Sequence, residues 1–389
     1  MIDDFTYART PEIIFGAGTI SQLPGLVLRH GQSVLAVTGE RSYEGPQWEG
    51  FTEALDRHEV RWEHVSITGE PSPEMIDHAV VECTGRDIDV VVAWGGGSVI
   101  DAGKAISAML RAEGSVIEYL EGVGEKTPTG VKVPFIAVPT TAGTGSEATK
   151  NAVISQTGPN GFKKSLRHDN YVPDVALIDP ELAMRCRRIV TASCGLDAIT
   201  QLLESLVSTK ASPMTDALAW SGLERAARSF VRAFCDGRRD IVARSDMAYA
   251  ALLSGITLAN AGLGVVHGIA GPFGARHDIA HGMICGMLLG PATRTTINLL
   301  RESEDGASTL EKYAAVGRLF SGETGSVEAG CESLVSMLEA WTALARIPSL
   351  TRLGIKEEDL PPIADAAGNK NNPAKLDTAQ RLALLAARL

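Results

Sequence analysis

The chain has 389 residues, of which 44% are hydrophobic and 21% charged, and its length suits two domains that each bury a core. A net charge of -11 with no run of Lys or Arg argues against nucleic acid as a partner. Six cysteines without a C-x-x-C pair point to a reduced, cytoplasmic setting, and neither a basic-then-apolar N-terminus nor 18 uninterrupted apolar residues suggests a membrane.

Up to about residue 184, short apolar strands alternate with helical stretches and Gly- or Pro-rich turns, which predicts a parallel sheet covered by helices on both faces. The clearest strands are Ser33 to Thr38, Asp89 to Trp94 and Val133 to Val138. The second of these runs into Gly95-Gly96-Gly97-Ser98 and then a helix, so that backbone amides and a positive dipole end are presented to an anion. This is neither a G-x-G-x-x-G fingerprint nor a P-loop, because Gly103-Lys104 is followed by Ala105. A tight turn explains a triple glycine equally well on its own. The third strand leads into Pro139-Thr140-Thr141-Ala142-Gly143-Thr144-Gly145-Ser146-Glu147, whose hydroxyls and glycines suit a second wall of a phosphate or ribose cleft, or else a capped helix entry.

From residue 185 onward the strand signals fade. Thr191 to Leu206, Pro213 to Phe234, Ile241 to Gly262 and Leu310 to Phe320 all suit helices, so residues 185–389 are expected to form an all-helical domain after an α/β domain at 1–184. Asp197 and Gln201 stand at i and i+4 and share a helix face, which on an isolated amphipathic helix is ordinarily a solvated one. His267 and His281 lie fourteen positions apart, about 21 Å along one unbroken helix, too far to share an ion. Gly271 and Pro272 are expected to end the helix that carries His267, and Gly274 to reverse the chain, so that a second helix can return His281 to the same point. Two imidazoles beside a carboxylate suit a transition metal.

Together Gly95 to Asp101, Pro139 to Glu147, Gly195-Leu196-Asp197-Ala198, His267 and His281-Gly282 resemble the iron-containing, or group III, alcohol dehydrogenase family. The order and spacing match from Phe15-Gly16-Ala17-Gly18 to Asn372-Pro373. The resemblance implies a Rossmann-like dinucleotide-binding α/β domain, a helical metal-binding domain in the architecture shared with dehydroquinate synthase, and a cleft between them. It also implies NAD(P)-dependent interconversion of a small alcohol and an aldehyde or ketone, and a homodimer.

Residue by residue, the resemblance assigns the metal to Asp197, His267 and His281 with Gln201 in the fourth place, where the family usually has histidine. Fe²⁺ or Zn²⁺, weakly held, is the expected ion. Gly271 stands where the family commonly has a further histidine, which implies a wider substrate pocket. His277 is the one candidate for a proton-relay role, and a structural histidine is the commoner reading. Gly96, Gly97 and Ser98 are assigned to the pyrophosphate, and Asp101, Thr140, Thr141, Thr144, Asn151 and Lys163 to the nicotinamide side. Gly39 stands where NAD-preferring members carry Asp, and Arg41 and Ser42 could receive a 2′-phosphate that Glu40 would repel. The cofactor is therefore NADP or NAD. Competing expectations are a metal-free reductase resembling maleylacetate reductase, which lacks the aspartate kept here as Asp197; a lyase resembling dehydroquinate synthase; and a nucleotide-binding protein without catalysis.

Overall fold

The computed structural model describes residues 4–389, which divide into two compact units. Residues 8–141 and 145–186 form an α/β unit, and residues 4–7, 142–144 and 187–389 form a helical one.

The α/β unit is built on β1 (Glu12–Phe15), β2 (Ser33–Gly39), β3 (Arg61–Ile67), β4 (Val90–Gly95), β5 (Phe135–Pro139) and, after a β6 (Asn151–Gln156) and β7 (Phe162–Arg167) antiparallel hairpin, β8 (Val175–Ile178). The six-stranded sheet is parallel throughout, in the order β3-β2-β4-β5-β8-β1. Its helices are α1 (Leu23–Leu28), α2 (Pro46–Arg57), α3 (Pro73–Glu82) and α4 (Gly97–Met109). Strands β4, β5 and β8 are apolar at every position because both faces are covered. Val34, Ala36, Val92 and Trp94 pack with Leu23, Trp48 and Phe51 on one side, while Leu35, Val37, Val91 and Ala93 pack with Ile76, Ile100 and Ile106 on the other. The chain leaves β2 toward β3 and leaves β4 toward β5, in opposite directions along the sheet. The carboxyl ends of β2 and β4 therefore flank a topological switch point, the place where open α/β sheets receive ligands.

The helical unit contains α5 (Arg188–Leu206), α6 (Pro213–Cys235), α7 (Ile241–Ala261), α8 (Val265–Arg276), α9 (His281–Arg301), α10 (Ala307–Ser321), α11 (Val327–Leu344), α12 (Leu360–Ala366) and α13 (Thr378–Ala386). By length and apolarity α7 alone among the described helices could cross a bilayer, yet it is largely buried, carries Arg244 and Asp246, and packs on α5 and α6. It stops at Gly262, whose φ of 73° lies in the left-handed region where a side chain is strained.

The expected break at Gly271-Pro272 does not occur. Pro272 sits inside α8, which runs on to Arg276, and the chain reverses over residues 277–280 and not at Gly274. A proline in a helix interior leaves the carbonyl four residues back without its donor. Here that carbonyl is on Gly268, and it accepts the amide of Gly368 at 3.4 Å. Gly268 permits the approach: a Cβ there would stand 1.8 Å from the Gly368 carbonyl oxygen. The replacement donor comes from a segment a hundred residues away, which local helix rules cannot anticipate.

Candidate functional site

Three helices of the helical unit converge their polar side chains. Asp197, Gln201 and Glu204 project from one face of α5 at i, i+4 and i+7, His267 lies in the first turn of α8, and His281 opens α9 with Cys285 one turn further. The α5 face is not solvated: Asp197 and Gln201 are 1% and 3% exposed. Asp197 Oδ1 is 3.3 Å from His267 Nε2 and 3.8 Å from His281 Nε2. Cys285 Sγ is 3.7 Å and 3.6 Å from the same two nitrogens. One oxygen, two nitrogens and one sulfur thus lie within 4.8 Å of one another.

Glu204 sets the orientation of His267. Its Oε2 is 2.7 Å from His267 Nδ1, and its Oε1 accepts the Val266 amide at 2.7 Å. A carboxylate at Nδ1 holds a proton there and turns Nε2 toward Asp197 and Cys285, where it would become a ligand once a metal displaced its proton, the usual support for a metal-bound imidazole.

The charges in this pocket depend on one another. Burial opposes ionisation of Asp197, but the neighbouring His281 and His267 bring its pKa down to about 2. Burial also opposes protonation of His267, yet Cys285, Glu204 and Asp197 together raise its pKa well above the ordinary value. Burial pushes the Cys285 thiol up to about 12. Asp197 Oδ1 is buried without a hydrogen bond of acceptable geometry, an expensive state for a carboxylate oxygen unless a cation completes it. The donor set and this oxygen fit a divalent transition metal.

Gln201 Oε1 accepts a hydrogen bond from Ser254 Oγ at 2.8 Å. Space beside Gly271 is open: a Cβ there would meet nothing within 4 Å. His277 follows α8 and packs its ring on Phe273, 5.4 Å between centroids.

In the α/β unit Gly96 is the extended N-cap of α4, and no side chain caps the helix, so its first-turn amides are open to an anion. Thr140 N–H donates to Gly95 O at 2.8 Å, which joins the two expected cofactor turns, and a Cβ on Gly96 would touch Thr141. A cleft of about 220 Å³ opens at this edge, lined among others by Arg41, Ser42, Trp94, Thr140, Thr141 and Arg185. Ser42 Oγ accepts from Gly39 N–H and donates to Trp94 O, both at 2.7 Å, so this hydroxyl stitches the ends of β2 and β4 together.

Several expected cofactor residues have protein partners. The Asp101 carboxylate accepts from Ser146 Oγ and from the Val153 amide, the second at 3.2 Å. Lys104 Nζ donates to Ser146 O at 2.8 Å and to the Asn151 carbonyl at 2.7 Å. Lys163 pairs with Glu70 at 3.0 Å. Thr144 lies in the short stretch that groups with the helical unit.

Cys285, Glu204, Ser254 and Arg185 were not anticipated. The first two carried a readable signal: Cys285 follows His281 by four residues and Glu204 follows Asp197 by seven, each on its partner's helix face.

Comparisons with known proteins agree with this layout. The sequence profile described as iron-containing alcohol dehydrogenase matches residues 10–180, and the C-terminal profile of that family matches residues 191–389. The chain is 29% identical to a sulfoacetaldehyde reductase of Bilophila wadsworthia over 98% of each chain. It is 36% identical to long-chain-alcohol dehydrogenase 1 of Geobacillus thermodenitrificans, over 70% of this chain and 69% of that one. A solved 1,3-propanediol oxidoreductase superposes with a TM-score of 0.87, at 28% identity and full coverage of both chains. The chain belongs to the iron-containing alcohol dehydrogenase family.

Proposed function

We propose that the protein is an NAD(P)-dependent alcohol dehydrogenase or carbonyl reductase whose helical unit uses a divalent metal. The observation that carries the metal is the buried Asp197 Oδ1, without a hydrogen bond and faced by two imidazole Nε2 atoms. Asp197, His267 and His281 would hold the ion, with Gln201 or another neighbour as the fourth donor. An ion held there would supply Lewis acidity toward an alcohol or carbonyl oxygen. The first turn of α4 receives the cofactor pyrophosphate, and the turn at Thr140-Thr141 walls the same cleft. Held in that cleft, the cofactor would supply the hydride acceptor for oxidation of an alcohol, or the donor for reduction of a carbonyl compound, with the hydroxyl proton exchanged with water. Glu204 fixes His267 throughout.

The names of relatives, sulfoacetaldehyde reductase and long-chain-alcohol dehydrogenase among them, support an alcohol–aldehyde couple without fixing the substrate. Homodimerisation, implied by the family resemblance, belongs to the same reading and is checked by light scattering.

The test is NADH and NADPH consumption with a panel of aldehydes, on protein stripped by chelator and reloaded with Fe²⁺ or Zn²⁺. Turnover that requires the ion supports the reading. Nucleotide binding with no turnover of any aldehyde would make the chain a binding protein, and full activity without metal would remove the Lewis acid from the mechanism.

A further inference from the structure

We propose that Cys285 Sγ is the fourth protein donor to the metal, in the place that the family fills with a histidine and that Gln201 occupies in sequence. The inference rests on the metal reading above and goes beyond it in naming a ligand that the family resemblance does not supply.

Distances provide the first argument. In a tetrahedral zinc site with bonds of about 2.3 Å to sulfur and about 2.0–2.1 Å to nitrogen or oxygen, sulfur and nitrogen stand roughly 3.5–3.6 Å apart, and nitrogen and oxygen about 3.3 Å. Cys285 Sγ lies 3.7 Å from His267 Nε2 and 3.6 Å from His281 Nε2. Asp197 Oδ1 lies 3.3 Å and 3.8 Å from those nitrogens. Three of these four spacings are close to the edges of one tetrahedron and the fourth, at 3.8 Å, is longer, with all four donors within 4.8 Å of one another.

The second argument is what each alternative donor is placed beside. Gln201 Oε1 lies 2.8 Å from Ser254 Oγ, whose one proton it shares with the Ala251 carbonyl at the same distance. Cys285 Sγ has the two imidazoles as its neighbours, on a helix whose first residue is itself a ligand candidate, and an i, i+4 His/Cys pair directs both donors to one side. Asp197 Oδ1, buried and without a hydrogen bond of acceptable geometry, faces the same point as the thiol.

Chemistry provides the third. A neutral carboxamide oxygen is a weak partner for a late first-row ion, whereas a thiolate is strong and soft and favours zinc over iron. On binding, the metal replaces the thiol proton, which passes to solvent, so loading releases acid.

Cobalt replaces zinc as a probe because a cobalt–thiolate bond has a near-ultraviolet charge-transfer absorption. Full-length protein is stripped, titrated with Co²⁺, and followed by absorbance and by elemental analysis. Wild type is expected to bind one equivalent with the sulfur band. Cys285→Ser and Cys285→Ala are expected to lose the band and to weaken Co²⁺ binding by at least about 100-fold, while Gln201→Ala and Cys194→Ala keep it. One equivalent of cobalt bound without the band, or loss of binding in Gln201→Ala with retention in Cys285→Ser, overturns the proposal and leaves the metal centre standing. No cobalt bound by wild type, with Asp197→Ala behaving identically, overturns the metal centre itself. Because the band is read on wild type first, a poorly folded variant does not decide the result.

Discussion

In the α/β unit the residues proposed to receive the cofactor are neighbours in sequence, Gly95 to Ser98 after one strand and Thr140-Thr141 after the next. In the helical unit the proposed metal donors span Asp197 to Cys285 and come from three helices. The first arrangement works through backbone amides at a helix start, so it depends on chain path and tolerates side-chain change. The second works through side-chain atoms held within a few ångströms, so each depends on groups that fix its rotamer, as Glu204 fixes His267.

That contrast gives the largest expected effect. Asp197→Ala removes the one carboxylate of the cluster and should abolish metal retention while lowering kcat/KM by at least about 10³-fold, the several kcal/mol a Lewis acid supplies. Ser98→Ala should leave cofactor affinity within about threefold, because the amide and not the hydroxyl meets the phosphate. Elemental analysis beside steady-state kinetics checks both. A Ser98→Ala enzyme as damaged as Asp197→Ala would break the contrast.

The same difference decided what was legible in the sequence. The strands, the triple-glycine turn and the long helices are local patterns, and β2, β4 and β5 begin and end within two residues of Ser33 to Thr38, Asp89 to Trp94 and Val133 to Val138. Asp197, His267 and His281 meet as expected, although for a reason different from the one read: Pro272 does not end its helix, because Gly368 satisfies the carbonyl that the proline strands. Ser254, which engages Gln201, lies on α7, more than fifty residues on. Its role depends on tertiary packing and left no local trace.

Both units bury charge, and the second prediction separates how. Beneath the cofactor turns Lys104 is hydrogen-bonded by Ser146, Thr149 and Asn151, so that cluster is complete without a ligand, unlike the Asp197 group. Burial raises Glu147 to about 7 and lowers Lys104 to about 8. An acid whose folded pKa lies above its unfolded value keeps its proton longer in the native state, so stability falls as pH rises from about 4.5 to 7 and stays lower above that. Glu147→Gln should remove that decline and stabilise the protein at pH 8 by up to about 3 kcal/mol. Denaturation measured across the pH range checks this; an unchanged slope would mean that Glu147 ionises freely in the fold.

A third, smaller effect concerns the support of the imidazole. Glu204→Gln keeps the shape but offers His267 Nδ1 a neutral partner, and metal affinity should fall about 10- to 100-fold with cofactor affinity unchanged. Competition against a chelator of known strength reads the first, and fluorescence titration with NADPH the second.

The smallest effect is cofactor choice, where side chains enter the otherwise backbone-driven site. Gly39 offers no acid to the ribose hydroxyls, and the Glu40 carboxylate accepts the Thr68 hydroxyl at 3.1 Å, which engages it at the edge strand. Ser42 is spent on Gly39 and Trp94, and the cations lining the cleft are Arg41 and Arg185, which share it with the carboxylates of Glu44 and Glu181. NADPH should be used at least as well as NADH. Arg41→Ala should lower kcat/KM for NADPH about tenfold, the scale of one exposed charge-assisted contact, and leave NADH within about twofold. A strong preference for NADH that disappears in Glu40→Ala would show instead that Glu40 leaves Thr68 to hold the ribose, and that the acid one residue past Gly39 does the work of the missing one.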